Sequence, residues 1–129
     1  MDTNNGSNIN LTSAEWYVME CLWDNEPKTG REIIDELKER VGWSKSTVLT
    51  MLNRMVEKGL ILCDENSKVR LYSTKIDRNL AVQTETENFL KRVYKGSVGL
   101  MMSAMTKEQK LTNEEIDELY KILEESRNH

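Results

Sequence analysis

The amino-acid sequence predicts a mainly α-helical protein with one small β-hairpin. Three observations lead to this fold class. Helix signals recur in close succession between residues 11 and 59, the apolar period changes to two over residues 60–73, and a helical period returns from residue 77. This order of elements is that of a winged helix-turn-helix domain followed by a helical segment. We expect a disordered tail over residues 1–10, the winged-helix domain over 11–76 and the helical domain over 77–129.

The first helix is predicted to begin at a capping box. The Thr12 hydroxyl and the Glu15 carboxylate are spaced to accept hydrogen bonds from free backbone N–H groups of the first turn. Asn25 and Pro27 are expected to end the helix, since neither favours its continuation. Residues at helical spacing form its core-facing side: Trp16, Met19, Cys21, Leu22 and Trp23.

Two further helices follow after short connections. Thr29 and Glu32 repeat the capping-box pattern, and Gly42 is placed to end the second helix. Ser44 is the candidate cap of the third helix, and Gly59 is placed to end it. The predicted core-facing residues are Ile33, Ile34 and Leu37 in the second helix and Val48, Leu52, Met55 and Val56 in the third.

The opposite side of the third helix is polar and basic. The ten positions after Ser44 contain no acid, whereas exposed helices commonly carry acid–base pairs one turn apart. Hydroxyl, amide and cationic side chains suit contacts to phosphates and base edges, so this side is a candidate DNA-binding surface. The alternative is an ordinary Ser/Thr-rich helix surface, which only the order of the surrounding elements disfavours. The side chains concerned are Lys45, Ser46, Leu49, Thr50, Asn53 and Arg54.

The alternating region predicts a β-hairpin. Its strands are expected over residues 60–64 and 68–73, with a turn over 65–67. Val69 and Leu71 alternate with Lys68, Arg70 and Tyr72, which places the two sets on opposite sides of the strand. Lys68 and Arg70 would lie near the tip, where long cations can reach a DNA backbone. Charged hairpin tips are common, so this pair alone indicates little.

From residue 77 onward the sequence predicts three more helices, the last of them capped at Thr112. A segment of about fifty residues cannot bury their apolar stripes alone. A second copy of the segment would cover them, which predicts a homodimer and, for two DNA-binding faces, a palindromic site. Its methionine cluster is alternatively a soft-metal or cofactor site, although packing is the commoner role. The predicted dimerisation residues are Leu90, Val98, Met101, Met102, Met105, Ile116, Leu119, Tyr120 and Leu123.

Composition argues against several classes of function. The single histidine is the terminal His129, which removes His-based acid/base catalysis, Ser-His-Asp triads and most zinc sites. Cys21 and Cys63 lack CxxC or CxC spacing and are expected to be buried thiols. We therefore expect neither an enzyme nor a bound metal or other cofactor.

The distribution of charge is more informative than the net charge of -4. Residues 1–40 carry four basic and nine acidic side chains, whereas residues 41–78 carry seven basic and four acidic ones. The basic excess is thus local to the candidate DNA-binding region. No stretch is apolar enough to cross a bilayer, and the N-terminus lacks the pattern of a secretory signal. We expect a cytoplasmic protein without membrane insertion.

Taken in order, the motifs resemble the penicillinase-repressor and methicillin-resistance-repressor family (BlaI/MecI type) over roughly residues 11–126. The matching residues are LTSAEW at 11–16 with Met19 and Trp23, REI at 31–33, WSKSTV at 43–48, TMLNRM at 50–55, KG at 58–59, and Leu71, Tyr72 and Ser73. The resemblance implies a winged-helix homodimer that represses β-lactamase or related antibiotic-resistance genes. It also implies binding to double-stranded operator palindromes with TACA/TGTA cores.

The resemblance and helical geometry together identify residues 44–58 as the recognition helix. Thr50 would meet thymine or adenine edges, while Lys45 and Arg54 would bind phosphate. The full set of predicted DNA-binding residues is Thr29, Ser44, Lys45, Ser46, Thr47, Leu49, Thr50, Asn53, Arg54, Lys68 and Arg70.

Members of this family are inactivated when a membrane sensor protease triggers a cut in the C-terminal helical segment, usually between Asn and Phe. The resemblance places Ala104 and Met105 at that point, so they form the candidate proteolysis site and a sensor-protease pathway is a candidate partner. The usual residue pair is absent at this point, which argues against cleavage by the family's usual protease specificity. A copper-responsive branch carries a C-terminal CxC pair. This chain has no cysteine after Cys63, which excludes copper sensing through that motif.

Three functions follow from the sequence. A sequence-specific DNA-binding repressor is favoured by the acid-free helix side, the basic hairpin and the resemblance. A winged-helix module that binds proteins and never contacts DNA is suggested by the net acidic charge. A small enzyme that uses Cys63 or a carboxylate is the third, although no partner residue for such a group is visible.

Overall fold

A computed structural model describes residues 10–66 and 68–128, in which six helices and three short strands form. Apart from Asn10, the expected disordered tail lies outside the described residues. The elements in chain order are α1 (Ser13–Asp24), β1 (Lys28–Thr29), α2 (Gly30–Val41), α3 (Lys45–Glu57), β2 (Ile61–Asp64), β3 (Leu71–Thr74), α4 (Arg78–Tyr94), α5 (Val98–Glu108) and α6 (Asn113–Arg127). They form two compact units, the first ending at Thr86 within α4 and the second beginning at Glu87.

The helices begin and end where the local sequence chemistry predicts. Thr12 caps α1 and Thr29 caps α2. Each threonine hydroxyl accepts a hydrogen bond from the backbone N–H three residues later at 3.1 Å, and the glutamate there accepts one from the cap's own N–H. Gly42 ends α2 with φ at 72°, a left-handed conformation that a Cβ disfavours. Gly59 follows α3 with φ at 80°.

The core of the first unit is formed by α1, α2, α3 and the sheet. Val48, Leu52 and Met55 of α3 are fully buried, as predicted. The prediction was wrong for Val56, which is 36% exposed, while Met51 is buried instead. Positions 48, 51, 52 and 55 form the i, i+3, i+4, i+7 stripe of a helix, and position 56 lies outside that stripe.

The predicted hairpin is part of a three-stranded antiparallel sheet in the order β1-β3-β2. Tyr72 lies opposite Lys28 of β1 on one side and Cys63 of β2 on the other. Sequence analysis missed β1, because two residues beside a helix cap carry no alternating pattern.

The second hairpin strand differs from its prediction in length and in phase. It begins at Leu71, so Lys68 and Arg70 lie in the preceding loop. Tyr72, expected on the polar side, is 4% exposed, whereas Val69 is 55% exposed. The aromatic ring reaches the core, and a Cβ added to Gly30 would lie 3.6 Å from its Cε2 atom. A tyrosine suits either side of a strand, because its ring is apolar and its hydroxyl is polar. Alternation alone therefore could not show which residues of β3 face the core.

The second unit contains the end of α4 and the two last helices. Thr112 and Glu115 form the predicted capping box at the start of α6, and Ser97 caps α5. Neither α5 nor α6 has a buried residue. Across the described ranges, no helix is long and apolar enough to span a membrane.

Candidate nucleic-acid interface

Three hydroxyl groups cluster at the N-terminus of α3. Ser44 Oγ accepts a hydrogen bond from the Thr47 backbone N–H at 3.2 Å, donates one to Thr47 Oγ1 at 3.0 Å, and lies 3.1 Å from Ser46 Oγ. The first turn contains no acidic residue. Because the free N–H groups and the dipole of a helix N-terminus attract anions, this end of α3 is suited to a phosphate group.

The side of α3 predicted to contact DNA is exposed. We call this side the outer face, and it consists of Lys45, Ser46, Thr47, Leu49, Thr50, Asn53 and Arg54. The structure brings all of these predicted residues together on one helix surface, and the core stripe lies on its other side. A shallow depression of about 310 Å³ on this surface is lined by Ser46, Thr47, Thr50, Met51 and Arg54.

The cations of the outer face are not neutralised by any acid within residues 10–66 and 68–128. Among the described residues, neither Lys45 nor Arg54 makes an ion pair. The first acid of α3 is its last residue, Glu57. Lys45 and Arg54 can therefore bind an external anion without first breaking an internal contact.

An ion pair between a partly exposed lysine and a buried glutamate joins the C-terminal end of α3 to α1. Lys58 Nζ lies 2.5 Å from Glu15 Oε2, and the Glu15 side chain is only 3% exposed. Burial raises the pKa of the Glu15 carboxyl, but the Lys58 ammonium and the Thr12 backbone N–H outweigh that effect and hold the pKa below its ordinary value. The Lys58 ammonium is thus engaged in an ion pair that joins the end of α3 to α1, unlike the cationic groups of Lys45 and Arg54.

The loop between β2 and β3 carries the two predicted cations of the hairpin. Lys68 and Arg70 are both exposed. Arg70 is partly engaged, because its guanidinium lies 3.6 Å from the Glu65 carboxylate. Hydrogen bonding to Tyr72, followed by the charge of Glu65, raises the pKa of Arg70. Since α3 packs against β2, this loop belongs to the same unit as the outer face.

Thr29 is placed differently from the other predicted DNA-binding residues. It lies at the end of β1, opposite Leu71 of β3, and its hydroxyl caps α2. The side chain is therefore engaged within the protein and lies beside the hairpin instead of on the outer face. Its contact with DNA stays a prediction.

The two cysteines differ from each other in burial. Cys21 is fully buried, and burial, with hydrogen bonding to Glu36, raises the pKa of its thiol to about 12. Cys63 is half-buried, so the expectation that both thiols are buried was wrong for this residue. It lies on β2 opposite Tyr72 and packs against the edge of the core. No group of three potential metal ligands occurs within residues 10–66 and 68–128.

The predicted dimerisation residues are incompletely covered within the second unit. Leu90, Met101, Met102 and Leu119 are half-buried, while Val98, Met105, Ile116, Tyr120 and Leu123 are exposed. Sequence analysis left out Leu100 and Ile122, which are 59% and 51% exposed. The apolar run over residues 98–105 could have identified Leu100. Ala104 and Met105, the candidate proteolysis site, lie inside α5.

A sequence model described as penicillinase repressor matches residues 11–125 of the chain. The penicillinase repressor of Bacillus licheniformis is 34% identical over 118 residues, which cover 92% of this chain and 92% of that protein. The methicillin resistance regulatory protein MecI of Staphylococcus aureus (strain N315) is 29% identical over 113 residues, covering 88% of this chain and 92% of the relative.

Two solved structures resemble the described chain. One is a solution structure of the DNA-binding domain of the repressor BlaI, with a TM-score of 0.50 and 31% identity over 54% of this chain and 85% of that one. The other is the monomeric form of Bacillus licheniformis BlaI in complex with the blaP half-operator. It has a TM-score of 0.51 and 30% identity over 56% of this chain and 88% of that one.

Proposed function

Because the chain belongs to the penicillinase repressor family, we propose that it is a cytoplasmic transcriptional repressor that binds palindromic operator DNA as a homodimer. Its operator would be of the TACA/TGTA type, and the genes under its control would encode a β-lactamase or another antibiotic-resistance function. Its role is to occupy DNA and not to catalyse a reaction.

The observation that carries this proposal is the outer face of α3. It is exposed, free of acidic side chains and furnished with hydroxyls, an amide and two cations that make no ion pair among the described residues. A helix of this kind enters the major groove with its N-terminal half against the base edges. Lys45 and Arg54 would bind the flanking phosphates, and the loop cations Lys68 and Arg70 would hold the backbone beside the groove.

The exposed apolar residues of the second unit support a homodimer. Side chains such as Val98, Tyr120 and Leu123 are more than half exposed, and two copies of one surface can cover each other around a two-fold axis. Two outer faces would then meet successive major grooves roughly 34–36 Å apart. The two-fold symmetry of such a pair is the reason that the operator would be a palindrome, and the groove spacing would set the distance between its half-sites. A single chain would contact one half of it, as the related BlaI monomer does in its half-operator complex.

We also propose Ala104–Met105 as the position at which a sensor-protease pathway would inactivate the repressor. The bond lies within the helical span of α5, so cleavage would require local unfolding of that helix first. Intact-mass measurement after expression beside an induced sensor protease would test this. Fragments ending at residue 104 are expected, and a chain that stays whole while a cleavable relative is cut would refute it.

Fluorescence anisotropy with labelled duplexes tests the main proposal. The protein should bind a TACA/TGTA palindrome at least 1,000-fold more tightly than a scrambled duplex of the same composition, by the usual specificity of such repressors at about 150 mM salt. Equal affinities for both duplexes would refute sequence-specific binding.

The net charge of -4 favours one other candidate, a winged-helix module that binds a protein and not DNA. The double variant Arg54→Ala/Lys68→Ala separates the two. A repressor loses affinity for the palindrome when these cations are removed. A protein-binding module shows no DNA affinity to lose.

A further inference from the structure

One side chain of the outer face does not match the chemistry of its neighbours. Leu49 is 37% exposed, and it is the only exposed apolar residue in the stretch from Lys45 to Arg54. It lies between Ser46, three residues before it, and Asn53, four residues after it, on the same side of the helix. It belongs neither to the core cluster nor to the partly buried apolar residues that pack against that cluster. More than a third of this side chain is therefore exposed and lies outside the core of its own unit.

We propose that Leu49 determines operator specificity by packing against the C5-methyl group of a thymine in the major groove. This inference rests on the proposed DNA-binding function and names a determinant within the same surface. The thymine methyl is the only apolar group that a base pair presents in the major groove, and aliphatic side chains recognise it by contact. Burial of an isolated leucine against that methyl removes apolar surface of both groups from water.

The position of Leu49 along α3 fits this role. It is the fifth residue of the helix, in the N-terminal half that a recognition helix presents to base edges. Val56 lies two turns later on nearly the same side and is 36% exposed, but it is the twelfth residue of the helix. Two aliphatic side chains of nearly equal exposure thus lie on one helix, and only the first is placed to enter the groove.

Replacement of thymine by deoxyuridine tests the proposal, since it removes the methyl group and leaves base pairing intact. The duplex to use is the TACA/TGTA palindrome, with each symmetry-related pair of thymines replaced in turn. For the wild-type protein, replacement of one particular thymine pair should lower the affinity. The expected loss is about 4-fold for each methyl group removed, or about 15-fold when the methyl is removed from both half-sites. For Leu49→Ala, the thymine and deoxyuridine duplexes should bind equally at that pair.

Val56→Ala is the matched control, because it also shortens a half-exposed aliphatic residue of α3. This variant should keep the full wild-type preference for thymine. Leu49→Met retains an aliphatic side chain of similar volume and should restore most of the preference. Thr50→Ser removes the neighbouring methyl but keeps the hydroxyl, so it measures separately what the Thr50 methyl contributes to the preference.

Several outcomes would overturn the inference while leaving the proposed function standing. One is a wild type insensitive to every thymine replacement, and another is a Leu49→Ala variant as sensitive as the wild type. A loss of the preference in Thr50→Ser but not in Leu49→Ala would assign the contact to Thr50. If the wild type does not distinguish the palindrome from a scrambled duplex, the proposed function fails, and this inference fails with it.

Discussion

The two units of the chain use their apolar residues in opposite ways. In the first unit, Met19, Leu22, Leu37 and Leu52 are fully buried in one core. In the second, neither α5 nor α6 has a buried residue, and Tyr120 is 70% exposed. The first unit can therefore hold α3 in place with its own residues, whereas the second leaves apolar surface that a partner would cover. We infer that DNA contact and pairing are divided between the two units.

Removal of a core side chain in the first unit should have the largest effect. Leu52→Ala should lower the free energy of unfolding by about 2–5 kcal/mol, because it removes buried apolar surface and leaves a cavity beneath α3. Urea denaturation monitored by tryptophan fluorescence measures this change. Leu62→Ala is the control, since Leu62 is 51% exposed in the same unit. This variant should lose much less free energy of unfolding. Equal losses would mean that this core is not what stabilises the unit.

A charge in the second unit should split the dimer and leave the outer face of α3 intact. Leu123→Glu should lower affinity for the palindrome by roughly 100-fold, because two linked half-site contacts become independent. Anisotropy gives the affinity and analytical ultracentrifugation gives the mass. Lys121→Gln changes the net charge by the same amount on the opposite side of α6 and should have little effect. An intact dimer in Leu123→Glu would assign the pairing surface to other residues.

Neutralising the outer face should weaken DNA binding without altering the dimer. Arg54→Ala should reduce affinity for specific and scrambled duplexes alike and should lower the slope of log affinity against log salt by about 1. Anisotropy titrations at several salt concentrations measure the slope. Lys38→Ala, an exposed lysine on α2, is the control. An unchanged slope in Arg54→Ala would exclude a phosphate contact at this residue.

The ion pair that fastens α3 to α1 should make a smaller, pH-dependent contribution. The folded-state pKa of Glu15 lies below its ordinary value of 4.5, so the stabilisation is present above that pH and is lost as the pH falls through the folded-state pKa. Glu15→Gln should cost about 1 kcal/mol of unfolding free energy at neutral pH, since the partner Lys58 is partly exposed. Urea denaturation at neutral and at acidic pH measures the unfolding free energies of the wild type and of Glu15→Gln. A difference between the two proteins that persisted in acid would contradict this account.

Most of the first unit could be predicted because its signals are local. Capping boxes at Thr12 and Thr29, the cap at Ser44 and the glycine at position 42 each act within five residues. The outer face followed from the same local pattern, since an acid-free helix side is visible in the sequence alone.

The errors arose where distant residues decide the structure. Strand β1 exists because it pairs with β3 more than forty positions later, and the phase of β3 depends on where the Tyr72 ring finds room. Burial of Met51 in place of Val56 depends on how α3 packs against its neighbours. In the proposed homodimer the second unit is covered by a second copy of the chain, so the exposure of its residues within one chain cannot be read from the pattern of that chain alone.

Sedimentation velocity of the protein mixed with the palindromic duplex tests the division between the two units most directly. The predicted result is one complex that holds two 15.0 kDa chains for each duplex, with no stable species of one chain at micromolar concentration. Single chains that bind the full palindrome independently, or a protein that sediments as one chain without binding it, would contradict the division of roles.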